Sequence, residues 1–310
     1  MISHLFRRHY DLTQAHVRLT TPADIVPISR LLRDADQRYY GLESGDLSYI
    51  LEHMPGVALE HNSTMLGVVL PGWYRRATTW LRCTALARGV APAEAMPLLL
   101  KPLHMHLYDQ QMQHIFYAGD ESADTWLIPV LQRYGYSPIT QVVVYEKHGL
   151  AMPSRGNESI TVRPVFHPDL TALLDLDSTC FEPQWTMPAS SLRRAINDPA
   201  LFVVAEDAGR MVGYAYATSH FSGRLIHLVR IAVNPQQRRK GIGVRLLAEV
   251  IMYARQQRAD VVTLNTQAYN EHAQRLYRWF GFVPNGEQQP VLRYDVASRP
   301  DEGAVVLPGD

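Results

Sequence analysis

The sequence predicts an α/β protein, of the α+β kind, in which one folding unit is written twice. Short apolar runs with strand character alternate with amphipathic helical patterns along its 310 residues. One alignment register also relates the two halves: Met65-Leu66-Gly67 matches Met211-Val212-Gly213, and Gly135 matches Gly281, each pair 146 residues apart. We therefore expect two tandem domains, each built on a sheet flanked by helices.

The domain boundaries follow from the extent of this repeat. The copies are expected at 14–148 and 159–296, joined by a linker at 149–158 that is rich in Gly, Pro, Ser and Asn. With 46% apolar residues, the chain is long enough to form two hydrophobic cores. Residues 297–310 are expected to form a loosely held tail.

Composition argues against several classes of protein. Lys+Arg and Asp+Glu are both 30, so nothing favours nucleic acid or an anionic membrane as a partner. No apolar run reaches the roughly 18 residues of a membrane span, and the first residues lack the apolar core of a signal peptide. Cys83 and Cys180 have no metal-ligand spacing, so we expect no metal, and reduced thiols in a cytoplasmic protein.

The secondary structure of the second copy can be placed in order. The turn at 207–210 lies between two apolar runs and predicts a hairpin. Strands are expected at 160–163, 201–206, 211–218, 225–234, 261–266 and 292–296, the last closing the sheet of this copy. Helices are expected around 170–176, from 243 to about 258, and from the N-cap Asn270 to about 280, with Gly281 at the C′ position.

The stretch 225–247 combines a strand, a glycine turn and a helix. Leu225–Asn234 is an apolar, β-branched run, and Pro235 ends it because proline cannot donate to a sheet ladder. Gly241 and Gly243 follow three cations and open the helix. The first helical turn has N–H groups without intrahelical partners, and glycine lets a phosphate approach them. The stretch therefore predicts a diphosphate-binding site.

The spacing of the glycines narrows the ligand. No GxxxxGK[ST] run is present, and GxGxxG fails because Leu246 takes the place of its third glycine. The remaining pattern, R-x-x-G-x-G at Arg238, Gly241 and Gly243, resembles the acetyl-CoA pyrophosphate loop of the GNAT (N-acetyltransferase) superfamily. The order of strands and helices is also similar to the GNAT fold, a mixed, mostly antiparallel sheet that splays beside the cofactor. The tandem layout resembles that of mycothiol synthase. An ordinary strand-to-helix turn with solvated basic residues is the alternative.

The resemblance implies acetyl-CoA as cofactor and acetyl transfer to a primary amine, of a small molecule or a peptide, by direct attack in a ternary complex. Backbone N–H groups of Ile231 and Val233, on the strand before the loop, are then expected to polarise the carbonyl. Asn270 matches a family position that contacts the cofactor, and a plain helix N-cap is an equal alternative. The expected cofactor-binding residues are Ile231, Ala232, Val233, Arg238, Arg239, Lys240, Gly241, Ile242, Gly243, Val244 and Asn270.

The same resemblance suggests residues for proton transfer. Tyr277 lies in the LYxxxGF segment, where the family places the general acid for the CoA thiolate; a core aromatic is the alternative. The identity of the base stays open. His227 would share the face of the carbonyl-polarising residues if the strand is regular, and an ordinary hydrogen-bonded histidine is its alternative role. Glu182 is the rival base, and His220 is a third option.

The first copy has the fold signals but lacks the loop. At the offset of 146, Pro92, Ala95 and Pro97 take the places of the arginine and the two glycines, and proline has no N–H to bind a phosphate. We therefore expect this copy not to be catalytic. A structural role, a substrate-facing role and the formation of a homodimer all stay open for it.

Two other functions are compatible with these motifs. A protein that senses acyl-CoA without turnover would keep the loop and would not need Tyr277. An interaction protein would use the basic turn to bind some other anion, and it would show no preference for CoA over other diphosphates. The segments expected to shape the acceptor pocket, 177–191 and 287–292, do not identify the acceptor.

Overall fold

The chain forms two compact units. The computed structural model describes residues 10–42 and 46–296, so the tail expected at 297–310 lies outside the described residues. By contacts, unit 1 contains Met1–Ile139 and Pro290–Asp310, and unit 2 contains Thr140–Gln289. Helices accompany mostly antiparallel strands in both units, which confirms the predicted fold class.

Unit 1 is a sheet with helices on both faces. Its strands are β1 (His16–Leu19), β2 (Gln37–Tyr40), β3 (Val57–His61), β4 (Thr64–Arg75), β5 (Thr78–Leu86) and β6 (His114–Ala118). Its helices are α1 (Ile25–Asp34), α2 (Asp46–His53), α3 (Pro92–Asp109) and α4 (Asp124–Arg133). The strand order is β1-β3-β4-β5-β6, and β2 also pairs with β5. One apolar cluster packs against α3 and α4, and a second packs against α1 and α2.

Unit 2 repeats this plan. Its strands are β7 (Ser137–Lys147, within the unit from Thr140), β8 (Thr161–Pro164), β9 (Leu201–Asp207), β10 (Arg210–His220), β11 (Leu225–Val233) and β12 (Val261–Gln267). Its helices are α5 (Leu170–Cys180), α6 (Ala189–Asn197), α7 (Ile242–Gln257) and α8 (Glu271–Trp279). The strand order is β7-β12-β11-β10-β9-β8. The hairpin turn at 207–210 is present, with Ala208 and Gly209 both at positive φ.

The last strand of each sequence repeat pairs with strands of the other repeat. The remaining strand, β13 (Val283–Asp295), pairs with β6 along 291–295, and β7 pairs with β12. The prediction that 292–296 closes the sheet of the second copy is therefore wrong. The edge of β12 that this strand was expected to join is hydrogen-bonded to β7 instead. The alternation of side chains along a strand does not indicate which of two similar sheets the strand joins.

Both units contain the same ion-pair triad at matching positions of the repeat. The triads are Arg18–Asp24–Glu60 in unit 1 and Arg163–Asp169–Glu206 in unit 2. In each, the guanidinium donates two hydrogen bonds to the aspartate, 2.6–2.9 Å long, and reaches the glutamate of the neighbouring strand. Equal contacts at equal positions confirm the internal repeat.

The sheet of unit 2 splits between β11 and β12. Their parallel pairing covers Leu225–Leu228 of β11 and extends no further along the described strands. At the same point Val229 is an extra residue, because its neighbours Leu228 and Arg230 have partners on β10 in register and Val229 has none. Such a bulge bends its strand and shifts the alternation of side chains by one residue. The split and the bulge together position the candidate site.

Candidate active site

A cleft of about 590 Å³ lies where β11 and β12 separate. Beyond Leu228, the edge of β11 that faced β12 has no strand partner within the described residues, so its backbone groups are available to a ligand. The cleft is also bordered by the loop before α7, by α8 and by the segment after α5. The predicted site residues that line it are Glu182, Ile231, Ala232, Val233, Arg238, Arg239, Gly241, Ile242, Gly243, Val244 and Asn270.

The glycine loop delivers the first turn of α7 to this cleft. Gly241 has φ +75°, a left-handed conformation that glycine adopts without strain, and the first intrahelical bond runs from Arg245 N to Gly241 O. The amides of residues 242–244 therefore have no intrahelical acceptor. Lys240 does not line the cleft, and its Nζ donates to Gln237 Oε1 at 2.6 Å.

The linker between the repeats supports the loop from behind. Asn157 Nδ2 donates to the Lys240 carbonyl at 2.9 Å, and the Asn157 amide approaches the Gly241 carbonyl at 3.4 Å. A Cβ on Gly156 would stand 2.3 Å from the Arg245 amide, so this position is restricted to glycine. Sequence reasoning missed this contact, since a linker rich in Gly and Asn predicts only a connection.

Tyr277 lies beneath the wall of the cleft rather than on its surface. Its side chain is 4% exposed, and its ring packs between those of Tyr145 and Phe282, with centroids 6.2 and 6.1 Å away. The adjacent Leu276 does line the cleft. Burial raises the pKa of the Tyr277 phenol well above its usual value, so the group keeps its proton at neutral pH.

His227 is not on the face that the sequence predicts for it. Ile231 and Val233 pack against the α7 core, whereas the bulge at Val229 places His227 on the opposite face. Its Nδ1 lies 2.9 Å from Thr263 Oγ1 on β12, and it does not line the cleft. Burial, with a smaller contribution from His220, lowers the pKa of His227, which favours the neutral imidazole. The third candidate base, His220, contacts Thr218 at 2.9 Å and also lies outside the lining.

Glu182 is the candidate base that does line the cleft. Its Oε2 accepts hydrogen bonds from Tyr269 Oη at 3.1 Å and from Gln184 Nε2 at 2.6 Å. Trp185 Nε1 donates to the same Tyr269 hydroxyl at 3.0 Å. These contacts join the segment after α5 to the end of β12. Sequence reasoning singled out Glu182 and missed its two aromatic partners.

A buried ion pair holds the segment that carries Glu182. Asp177 is 1% exposed and accepts hydrogen bonds from Arg230 at 2.7 and 2.9 Å and from the hydroxyl of Tyr214. The Arg230 guanidinium also donates to the Trp185 carbonyl at 2.5 Å and stacks 3.6 Å above the ring of Phe181. Sequence reasoning assigned no role to Arg230. The available signal was a single arginine inside an apolar strand, since such a charge needs a buried partner.

Helix α8 presents a mixed face to the cleft. The lining residues on it are His272, Ala273, Arg275, Leu276 and Trp279, whose spacing of three and four residues is that of one helical face. At the start of this helix, Asn270 Oδ1 accepts a hydrogen bond from the Ala273 amide at 3.3 Å, so the predicted N-cap is confirmed. Asn270 also lines the cleft, and so both of its expected roles remain compatible with the structure.

Comparison with known proteins agrees with this architecture. The acetyltransferase (GNAT) family matches residues 170–282. N-alpha-acetyltransferase RimI of Mycobacterium tuberculosis is 30% identical over 141 residues, 44% of this chain and 86% of that protein. Mycothiol acetyltransferase of Acidimicrobium ferrooxidans is 36% identical over 93 residues, 29% of this chain and only 30% of that protein. The solved structure of a tandem GNAT protein from the clavulanic acid biosynthesis pathway aligns with a TM-score of 0.61, over 92% of this chain and 99% of that chain, at 10% identity.

The chain belongs to the GNAT family of acetyltransferases, and its repeat gives it the tandem form of the fold. Within the described ranges, no helix is long and apolar enough to cross a membrane. Those ranges also hold no group of three or more His, Cys, Asp or Glu side chains with the arrangement of a metal site.

Proposed function

We propose that this protein is an acetyl-CoA-dependent N-acetyltransferase of the cytoplasm, with its single active site in unit 2. One observation carries the proposal: an open strand edge and a glycine-rich helix N-terminus meet in the same cleft. The helix end suits a diphosphate, and the strand edge suits an amide-containing chain that extends from it. Both features are needed to hold acetyl-CoA, so their coincidence favours this ligand over an unrelated anion.

The glycines of the loop fit this cofactor. A Cβ on Gly243 would meet only the side chains of Leu276 and Val233, at 3.6 and 3.8 Å, and both of these residues line the cleft. The absence of that Cβ therefore keeps open space next to the free amides of α7. Arg238 and Arg239 line the same region and supply positive charge for the phosphates.

The chemistry follows from what each residue offers. When bound, acetyl-CoA supplies an electrophilic thioester carbonyl and a thiolate leaving group. The free backbone N–H groups along Ile231–Val233 donate to an oxygen that gains charge, and Tyr277 holds a proton for the leaving group. The attacking amine must lose a proton. Glu182 lines the cleft and is the candidate base, whereas His227 lies outside the lining on the other face of β11. No covalent intermediate on the protein is required.

The acceptor in this proposal is a primary amine of a small molecule or a peptide. An acyl-CoA sensor without turnover is the rival function, and it would not need the phenol of Tyr277, because a sensor has no leaving group to protonate. Release of the CoA thiol, measured in the presence of a library of amines, separates the two functions. An enzyme releases thiol with at least one amine, and a sensor releases none.

Titration calorimetry with acetyl-CoA tests the cofactor site. We expect one site per chain in the wild type. Gly243→Asp should weaken binding at least about 100-fold, because a carboxylate would face the diphosphate. The variant should still fold, since an acidic side chain in the first turn of a helix is favourable and its Cβ has room.

Gly149→Asp is the matched control, since nothing lies within 4 Å of a Cβ at that position. It should bind acetyl-CoA as the wild type does. Two sites per chain, or unchanged binding by Gly243→Asp, would contradict the proposed location of the site.

A further inference from the structure

We propose that Glu182, Trp185 and Tyr269 form the acceptor subsite of the cleft, and that this subsite selects cationic acceptors over neutral and anionic ones. The inference rests on the proposed function, because it names the class of acceptor for the same cleft. It excludes acceptors with a carboxylate next to the recognised group, such as free α-amino acids.

The first support is the distribution of charge in the cleft. Among the described lining residues Glu182 is the single carboxylate, whereas the cations Arg238, Arg239 and Arg275 belong to the loop before α7 and to α8. The nearby Arg230 does not neutralise Glu182, because its guanidinium is hydrogen-bonded to Asp177 at 2.7 and 2.9 Å. One negative charge is therefore left at this end of the cleft.

The second support is the hydrogen bonding of the carboxylate. Both donors to Glu182, Tyr269 and Gln184, use its Oε2 atom. Within the described residues Oε1 accepts no hydrogen bond, so it retains its full capacity for an external donor. An ammonium group, with its three N–H donors, is suited to that capacity.

The third support is the pair of aromatic rings. Trp185 and Tyr269 are fixed to one another by a 3.0 Å hydrogen bond, and Tyr269 is fixed to Glu182 at 3.1 Å. Tyr269 remains 52% exposed, so its ring is accessible within the lining of the cleft. Aromatic faces attract cations, and a carboxylate beside them adds to that attraction. Burial and the Glu182 charge raise the pKa of Tyr269 to about 12, which keeps its hydroxyl a donor to the carboxylate.

The buried ion pair supports this arrangement from below. Arg230 donates to the backbone carbonyl of Trp185, so the ring is held through the segment that also carries Glu182. The same guanidinium stacks on the ring of Phe181 at 3.6 Å. A hydrogen-bonded clasp with a purely structural role would not need a charge, because glutamine also accepts a hydrogen bond from Tyr269. The experiment uses this difference.

The test uses three probes of matched size: benzylammonium, benzyl alcohol and phenylacetate. Each is titrated into the full chain saturated with CoA, a form that cannot transfer an acetyl group. The readout is the indole N–H resonance of Trp185, assigned by its loss in Trp185→Phe. We expect benzylammonium to bind at least about tenfold more tightly than benzyl alcohol, and phenylacetate to bind most weakly.

Glu182→Gln should abolish the preference for the cationic probe while it keeps the Trp185 resonance in place. Asp175→Asn is the matched control, because Asp175 is an exposed carboxylate on α5 that does not line the cleft. This variant should keep the preference. Equal binding of benzylammonium and benzyl alcohol by the wild type, or a preference that survives in Glu182→Gln, would overturn the proposal.

The two proposals fail in different ways. If CoA does not bind, the proposed function is wrong, and titration of the CoA-free protein with the same probes still measures the selectivity of the subsite. If CoA binds and the cationic probe has no advantage, the acceptor inference alone is wrong.

Discussion

Strands β5 and β11 occupy equivalent positions in the two units, but their edges are paired differently. In unit 2, β11 has a free edge beyond Leu228. In unit 1, strand β2 pairs with Cys83–Leu86 of β5, and the amide of Gly41 donates to the carbonyl of Arg82. By the pairing of these strands with β4 and β10, this stretch of β5 matches Arg230–Val233 of β11. Unit 1 has thus filled with its own chain the edge that unit 2 offers to a ligand.

The loops before the equivalent helices α3 and α7 also differ, and again, within the described residues, only unit 2 leaves backbone groups available to a ligand. Helix α3 begins at Pro92, whereas the position that matches the start of α7 is Met96. The glycine loop of unit 2 is therefore replaced by an extra helical turn in unit 1. The amides of Glu94 and Ala95 donate to the carbonyl of Ala91 and are not available to a phosphate. One fold supports a binding cleft or a closed core, depending on a strand edge and one turn.

The largest effect is expected from the buried Asp177–Arg230 ion pair of unit 2. The helix starts and the strand registers place Leu32 and Cys83 of unit 1 where unit 2 has Asp177 and Arg230. Asp177→Leu should lower the free energy of unfolding by about 3–5 kcal/mol, because it leaves a buried guanidinium without its partner. Adding Arg230→Thr should recover about 1 kcal/mol or more, since the charge is removed.

Urea unfolding, followed by tryptophan fluorescence, measures both variants. A double variant less stable than the single one would show that the pair is not the feature that separates the two cores. Acetyl-CoA affinity is measured in parallel, because the same pair holds the segment of Glu182 against the cleft.

The next effect concerns Tyr277, whose matching residue in unit 1 is Leu131. Tyr277→Phe should lower kcat about 100-fold and leave the KM for acetyl-CoA nearly unchanged, because the ring still packs between Tyr145 and Phe282. Burial raises the pKa of the phenol, so in the wild type kcat should not fall from pH 7 to about pH 10 through loss of this proton.

Steady-state kinetics with an amine found by the library screen provides the measurement. Tyr253→Phe, on α7 and outside the cleft lining, is the control and should keep the wild-type kcat. Unchanged turnover in Tyr277→Phe would show that this tyrosine has only a packing role, like that of its counterpart Leu131 in unit 1.

A smaller effect separates the two roles of Asn270. Asn270→Ala should cost about 1 kcal/mol of stability, because the helix loses its N-cap. Asn270→Ser keeps a capping oxygen and should cost only a few tenths of a kcal/mol. If the side chain also contacts the cofactor, both variants will bind acetyl-CoA more weakly in calorimetry. Weaker binding by the alanine variant alone would assign Asn270 to the cap.

The smallest difference is expected between the two ion-pair triads. Arg18→Met and Arg163→Met should each cost about 1 kcal/mol after solvent screening, and the two costs should agree closely. The guanidinium holds the pKa of Asp24 and of Asp169 below its usual value. This contribution is therefore complete above the ordinary carboxylate pKa of about 4 and is lost as the pH falls through the lowered pKa of the folded state.

Chemical unfolding between pH 7 and pH 3 checks this equivalence. Each variant should lose less stability than the wild type over that range. Unequal costs would mean that the triads no longer share one environment, although their sequence positions still match.

Local features of the fold were predictable where chemistry acts over a few residues. The strand–glycine–helix stretch, the cap at Asn270 and the C′ glycine Gly281 follow from backbone rules that need no distant partner. The face of His227 was not predictable, because the extra residue Val229 shifts the alternation and no residue type marks it. The link between Glu182 and Tyr269 joins residues 87 positions apart, beyond any local pattern.

By itself the sequence determined that this chain contains one fold twice and that one copy carries a glycine loop for a diphosphate. These conclusions rest on periodicity, turn chemistry and an alignment of the chain with itself. The tertiary structure alone decided that the last strands are exchanged and that β2 fills the edge of β5. Every strand edge offers the same N–H and C=O groups, so the choice among edges depends on which segments can reach them in the folded chain.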